Sequence, residues 1–160
     1  MRNLRFHSSR NGHEEHTLIL DINQIARVAH EANRAYCATI GDTTHAPWEH
    51  APEWQKRSAL GGVKLHLDSL AQGQTVPPQD AHAAWMMDRK AQGWLFGPVK
   101  DPEKKTHPLL RPYNQLPVEE QLKDYLFGAV VSAFYRAYHD AAGPSAAPPT
   151  ATSTSTSTSS

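Results

Sequence analysis

Two stretches of this chain are punctuated in the same way. A histidine is followed eleven residues later by a glycine, at His30 and Gly41 and again at His82 and Gly93. Beyond each glycine comes a proline-aromatic pair, Pro47-Trp48 and Pro112-Tyr113, and then, after three more residues, Pro52 and Pro117. A glycine after a helical run supplies the left-handed backbone that ends a helix, and a proline suits the first turn of one. The pattern therefore reads helix, stop, aromatic-bearing loop, helix, and then repeats with a longer insert. The economical interpretation is a duplicated helix–loop–helix unit packed about a pseudo-twofold axis. Chance is the alternative, because proline and glycine are common punctuators and the helices between them share little else.

Four helical segments fill this frame. Asp21 is a suitable N-cap for the first, in which Ile22, Ile25, Ala29, Ala32, Tyr36 and Ile40 recur at helical spacing up to Gly41. The second opens at Pro52 and carries Trp54, Ala59, Leu60, Val63 and Leu67, with Gly61-Gly62 as its weak point. The third follows Pro77-Pro78 and runs from about Gln79 to Gly93. The fourth opens at Pro117 and carries Leu122, Tyr125, Leu126, Ala129, Val130 and Phe134. The fold class expected is mostly α, two helix pairs about a pseudo-twofold axis. The connection from Gly93 to Leu116 contains four prolines and too few apolar repeats for a helix, so its aromatics must anchor it or it must move.

The ends differ in kind from the middle. Residues 1–17 are polar and unpatterned, and 141–160 is a Pro/Ala stretch running into a Ser/Thr repeat; both are expected to be disordered. This leaves 18–140 as one domain, with halves at 18–70 and 79–140. Of the 160 residues, acidic and basic side chains balance to a formal charge of zero, so bulk electrostatics point to neither nucleic acid nor a membrane surface. The single cysteine, Cys37, has no partner for an internal disulfide. Apolar runs are too short for a membrane span, and the basic amino terminus lacks the apolar stretch of a secretory signal. A cytoplasmic location is expected, or the host cytoplasm for a phage-encoded chain.

One block is more specific than spacing. The residues His82-Ala-Ala-Trp85, then Gln92-Gly93-Trp94-Leu95-Phe96-Gly97-Pro98, then Asp101 through Lys104-Lys105-Thr-His107-Pro108 to Pro112-Tyr113 and Leu116-Pro117 resemble a ryanodine-receptor repeat, the RyR domain. The upstream residues His30-Glu-Ala-Asn-Arg-Ala-Tyr36-Cys37 and Trp48 to Gln55 are similar to the first half of stand-alone RyR-domain proteins of bacteria and tailed phages. The resemblance implies a compact helical module with short extended segments and no catalytic activity. It also implies a site for an adenine nucleotide, whose base stacks on the tryptophan of the His-x-x-Trp element, here Trp85. The internal echo places Asn33 at the matching position of the other half, so a two-sided tryptophan clamp is not expected; Tyr36, one turn on, offers another aromatic face.

The candidate binding set follows from the chemistry a nucleotide needs: a flat aromatic, groups for its edge, and cations for phosphate. Trp85 is the stacking face, with Arg89 one turn on and Trp94 just past the stop. Asn33, Tyr36, His30 and His82 come from the matched positions, and Lys104, Lys105, His107 and Tyr113 from the insert. For each aromatic the competing role is a core or plug residue. For the lysines it is a solvated loop, and for the histidines a hydrogen bond that fixes the next loop. No metal site and no cofactor are expected: His13-Glu-Glu-His16 and His30-Glu31 lack the spacing of a zinc helix, and no nucleophile or phosphate-loop motif occurs. Cys37 reads as a small core residue. The expected activity is non-catalytic binding of a small molecule, an adenine or cyclic nucleotide, for sensing or sequestration. The alternative is a protein-interaction module that uses exposed aromatics of 94–116.

Overall fold

A computed structural model of the chain describes residues 5–6 and 18–142; the rest of the two end segments lies outside the described residues. Four helices carry the fold: α1 (Ile22–Thr39), α2 (Glu53–Leu70), α3 (Pro78–Ala91) and α4 (Val118–Ala142). Two-residue strands complete it. β1 (Arg5–Phe6) pairs antiparallel with β2 (Leu18–Ile19), and β3 (Leu95–Phe96) pairs parallel with β4 (Thr106–His107). The fold is mostly α, as expected. Among the described residues no helix is long and apolar enough to cross a membrane.

Local chemistry accounts for the helix ends. The Asp21 carboxylate accepts from the Asn23 N–H at 2.9 Å and so caps α1. Gly41 (φ 86°) and Gly93 (φ 83°) take the left-handed conformation that closes α1 and α3. The closing hydrogen bonds are the same in both: Asp42 N–H to Cys37 C=O at 2.9 Å, and Trp94 N–H to Arg89 C=O at 3.0 Å. Pro52 and Pro77 stand at the N-caps of α2 and α3. α2 passes through Gly61-Gly62 without a break.

The echo in the sequence is an echo in contacts. The His30 Nε2–H donates to the Ala46 carbonyl at 2.8 Å, and the His82 Nε2–H donates to the Arg111 carbonyl at 2.9 Å. Each acceptor is the residue before the proline-aromatic pair. A carbonyl can only accept, so both imidazoles are fixed with the proton on Nε2. Each histidine ring also meets the aromatic that follows, Trp48 at 5.5 Å and Tyr113 at 5.8 Å. Trp48–His50 and Tyr113–Gln115 each form one 3-10 turn, ending on the buried residues Ala51 and Leu116. Where α2 crosses α4, matched positions meet each other: a Cβ on Gly62 would stand 2.9 Å from the Phe127 ring, and Phe127 is the counterpart of Gly62 in the second half. Self-pairing of equivalent positions is what a twofold axis between two helices requires.

α4 packs on all three other helices, and the core cluster of Ile25, Ala26, Val63, Leu67 and Val131 lies where α1, α2 and α4 meet. Because each histidine ties its loop by one buried bond, His30→Phe and His82→Phe are each expected to cost about 1–3 kcal/mol, the penalty for leaving a carbonyl unpaired. Glutamine, which can still donate, should recover part of it. Urea denaturation of the four variants checks this, and a loss at one position with none at the other would contradict the shared role.

Candidate functional site

The insert is anchored. Trp94 is 3% exposed and lies against Trp54 of α2, with ring centroids 5.0 Å apart. Beside these rings stands Arg89, fully buried, its guanidinium carbon 5.1 Å from the Trp54 ring and 6.0 Å from that of Trp94. Its Nη2 reaches Asp88 at 2.7 Å, while Nε and Nη1 have no hydrogen-bond partner. Arg89 therefore ties α3 to α2 and to the insert; it does not share an open face with Trp85, although it lies one turn away on the same helix. The expectation that it would meet a ligand is corrected by the two tryptophans that draw its side chain inward.

In front of this wall a cavity of about 700 Å³ opens at the seam between the halves. It unites five of the expected residues: His30, Asn33, His82, Trp85 and His107. Trp85 is half-buried, with His107 at 5.1 Å edge-on and His82 at 5.5 Å. The other expected residues face elsewhere. Tyr36 donates from its hydroxyl to the Glu119 carbonyl at 3.0 Å, tying α1 to α4. Tyr113 donates to the Gln121 carbonyl at 3.4 Å and covers His82. Lys105, in the left-handed conformation (φ 52°), donates to the Gln92 carbonyl at 2.9 Å and so caps the end of α3. Lys104 is exposed and lies 3.6 Å from Asp101. None of these four, nor Trp94 or Arg89, lines the cavity. Neither lysine lines the cavity: Lys105 caps the end of α3, and Lys104 is exposed beside Asp101.

The cations that do line the cavity are Lys100, Lys123 and Arg57. Lys123 stands 2.7 Å from Glu120 and 3.9 Å from Asp42. Burial works against its charge, but the hydrogen bond and charge of Glu120 outweigh this and hold its pKa above the usual lysine value. Lys100, 5.6 Å from the Trp54 ring centroid, has its pKa lowered by burial.

Matched positions of the two halves carry unlike side chains, and of the three pairs that follow only Asn33 and Trp85 both line the cavity. The repeat pairs Asn33 with Trp85, Cys37 with Arg89 and Asp42 with Trp94. The second half contributes Trp85 to an aromatic wall, joined by Trp54 of the first; the first contributes Cys37, Asp42 and His45 to a polar one, joined by Lys100 and Lys123 of the second. On that polar wall Cys37, Asp42 and His45 present ligand atoms all within 4.8 Å of one another, a juxtaposition that spans a helix end and the next loop and that motif spacing did not reveal. Lys123 already serves this cluster: it pairs with Asp42 and hydrogen-bonds the Cys37 thiol, whose pKa is raised by burial. A cation entering there would meet an ammonium.

Burial favours the neutral form of four cavity histidines, His45, His66, His82 and His107. Burial pushes His107 down to about 3 and His45 down to about 4, with Lys100 adding to both. Burial also lowers His66 and His82. The His107 Nδ1 accepts from the Leu109 N–H at 3.2 Å, which leaves the proton on Nε2. Asp124, 3.7 Å from the His82 Nδ1, is pushed up to about 7 by burial, with Lys123 opposing and Glu120 adding. The cavity thus sets imidazoles beside two ammoniums, the Arg57 guanidinium and the carboxyl groups of Asp42, Asp88, Glu120 and Asp124.

The end of α2, all of α3, the insert and the first part of α4 are the stretch in which Trp85, His82, Arg89 and His107 are set, and residues 65–127 match the family model of the RyR domain. The likeness to the RyR domain thus covers 63 of the 160 residues.

Proposed function

We propose that this RyR-domain protein is a non-catalytic binding module whose cavity takes a small aromatic ligand, an adenine or cyclic nucleotide being the class it suits best. One observation carries the reading: a cavity of about 700 Å³, within the size range of small-molecule sites, with Trp85 and Trp54 on one wall and ionisable groups on the other. A base stacks on an indole, polar side chains read its edge, and ammoniums meet its phosphate. Binding without turnover fits the buried Cys37, whose raised pKa keeps it a thiol and not the reactive thiolate. Such a module would sense or sequester its ligand.

Nucleotide is expected to quench tryptophan fluorescence and to raise the melting temperature, because a ligand of the native state alone stabilises it by mass action. Trp85→Ala should weaken nucleotide binding about tenfold or more, the usual worth of a base–aromatic stack. A panel of linear and cyclic nucleotides that leaves fluorescence and melting unchanged at millimolar concentration would sink the proposal.

A second reading, a protein-interaction module, draws on the exposed side chains of Leu95 (67%), Phe96 (58%) and Val99 (67%) in the insert. They lie outside the aromatic wall, apart from Val99, which also lines the cavity. Leu95→Ser with Phe96→Ser separates the readings: nucleotide binding should survive that change.

A further inference from the structure

We propose that two copies of this chain pair through the outer face of α4, the helices antiparallel, with Glu119 of each copy beside Arg136 of the other. The face lies away from the cavity, and the inference is independent of the binding reading.

α4 is the longest helix, at 25 residues, and it carries apolar side chains on two sides. Phe127, Val131, Phe134 and Tyr135 pack inward on the core, and Glu120, Lys123 and Asp124 border the cavity. Outward stand Val118 (66% exposed), Leu122 (44%) and Tyr125 (57%), followed by the exposed Ala129, the half-buried Ser132 and the exposed Arg136. These residues recur at steps of four and three, the spacing that keeps one seam of a helix turned toward a partner helix. At 3.6 residues per turn the seam falls on the side opposite Lys123, Phe127 and Val131. A helix that is apolar on both sides is ordinarily covered on both. α1, α2 and α3 all pack on α4, yet the seam stays exposed.

Charge selects the occupant and its direction. From Val118 to Ser132 the seam carries no charge; Glu119 flanks one end and Arg136 closes the other. The two are separated by about 25 Å of helix, so they cannot meet within one chain. Among the described residues neither side chain has an ion pair or a hydrogen bond. Lys123, one turn from Glu119, is held by Glu120 and Asp42, and Asp140, one turn from Arg136, makes no ion pair with it. A second copy laid parallel would set Glu119 against Glu119 and Arg136 against Arg136. Laid antiparallel about a twofold axis, Val118 faces Arg136 of the second copy, Leu122 faces its Ser132 and Tyr125 covers its Ala129, each contact being repeated by symmetry. Large then meets small, and both end charges find opposite partners. One helix pair is a small interface, so the dimer should dissociate on the order of 10 µM. Both cavities remain open in it, because their residues lie on the other side of α4.

Sedimentation equilibrium of the full chain from about 5 µM to about 500 µM tests the pairing. The wild type should pass from monomer to dimer over this range, and Leu122→Lys and Tyr125→Asp should stay monomeric. Glu119→Arg and Arg136→Glu should each weaken the dimer about tenfold or more, since each sets like charges together twice. The double variant Glu119→Arg with Arg136→Glu should recover it, and such rescue can only act between copies. Circular dichroism checks that each variant is folded; if Leu122→Lys or Tyr125→Asp is not, the charge series decides alone. A wild type that is monomeric throughout overturns the proposal and leaves the seam to a different partner. So does a dimer indifferent to the α4 variants but lost in Leu95→Ser with Phe96→Ser, which would put the interface in the insert. A double variant no tighter than either single one overturns the antiparallel pairing.

Discussion

Replacing Arg89 by alanine is expected to lower the unfolding free energy by about 3 kcal/mol or more, whereas methionine at the same place should restore most of it. The side chain is fully buried beside Trp54 and Trp94, so truncation removes contacts to two indoles and leaves a hole that a close-packed interior fills only in part. Methionine nearly matches the volume. It also removes two guanidinium nitrogens that have no hydrogen-bond partner, and apolar replacement of a buried charge is often neutral or favourable. Urea denaturation followed by tryptophan fluorescence measures both variants. A loss below about 1 kcal/mol for Arg89→Ala would mean that the guanidinium is not packed as described. Because Arg89 does not line the cavity, Arg89→Met should also leave nucleotide affinity unchanged, which separates a positioning role from a contact.

Acid should destabilise the domain, and the size of the effect should depend on Asp124. His45 and His107 have folded-state pKa values of about 4 and about 3, below the value of 6.5 for an unperturbed histidine. The unfolded chain therefore binds more protons than the native one below pH 6.5, and the stability these residues lend above that pH is lost as the pH falls toward 4 and 3. Between pH 7.5 and 5 the two together should remove roughly 4 kcal/mol. Asp124 works the other way. Its folded pKa of about 7 lies above the value of 3.8 for a free carboxyl, so its contribution is present at low pH and disappears as the pH rises through 7. Acidification to pH 5 regains roughly 2 to 3 kcal/mol from it, for a net loss of roughly 1 to 2 kcal/mol. In Asp124→Asn the offset is gone, and the loss over the same interval should approach the full histidine value. Chemical denaturation at the two pH values tests both proteins. Equal losses in wild type and Asp124→Asn would show that Asp124 is ionised in the native state across this range.

The parts of the fold that could be read from residues alone are those set by backbone geometry within one turn. Gly41 and Gly93 stop helices because of their φ, Asp21 caps α1, and Pro52 and Pro117 precede helices, all features of local sequence. The matched spacing of His30 and His82 was legible too, and it located the two loop-fixing bonds. Directions of long side chains were not. Arg89 shares its helix with Trp85 and turns away, because its partners Trp54 and Trp94 lie far off or beyond a stop in the chain. In the insert, Lys100, Lys104 and Lys105 look alike in sequence, and only the Asp101 turn and the open end of α3 decide which of them remains available. Lys123 was missed because α4 was read for its apolar spacing. Leu122 and Tyr125 are exposed at 44% and 57%, while Glu120, Lys123 and Asp124 line the cavity together with Phe127. A polar stripe on the inner face is the signature of a helix that borders a site. The same echo that paired His30 with His82 could have paired Cys37 with Arg89 and Asp42 with Trp94, which was the available clue to an asymmetric cavity.

Both halves of the repeat line the cavity, and this has a consequence for how such a site can arise and change. Trp85 and His107 lie within the stretch that matches the RyR domain, whereas His30, Asn33, Cys37, Asp42 and Trp54 lie ahead of it. Neither copy encloses a volume alone. After a duplication, the residues that hold each copy together, the histidine and the glycine stop, are bound to remain alike, while the positions that face each other across the seam can drift apart with little penalty to folding. Selectivity can then evolve at the upstream positions without disturbing Trp85 and His107. RyR domains with similar aromatic blocks and different upstream halves would be free to recognise different ligands.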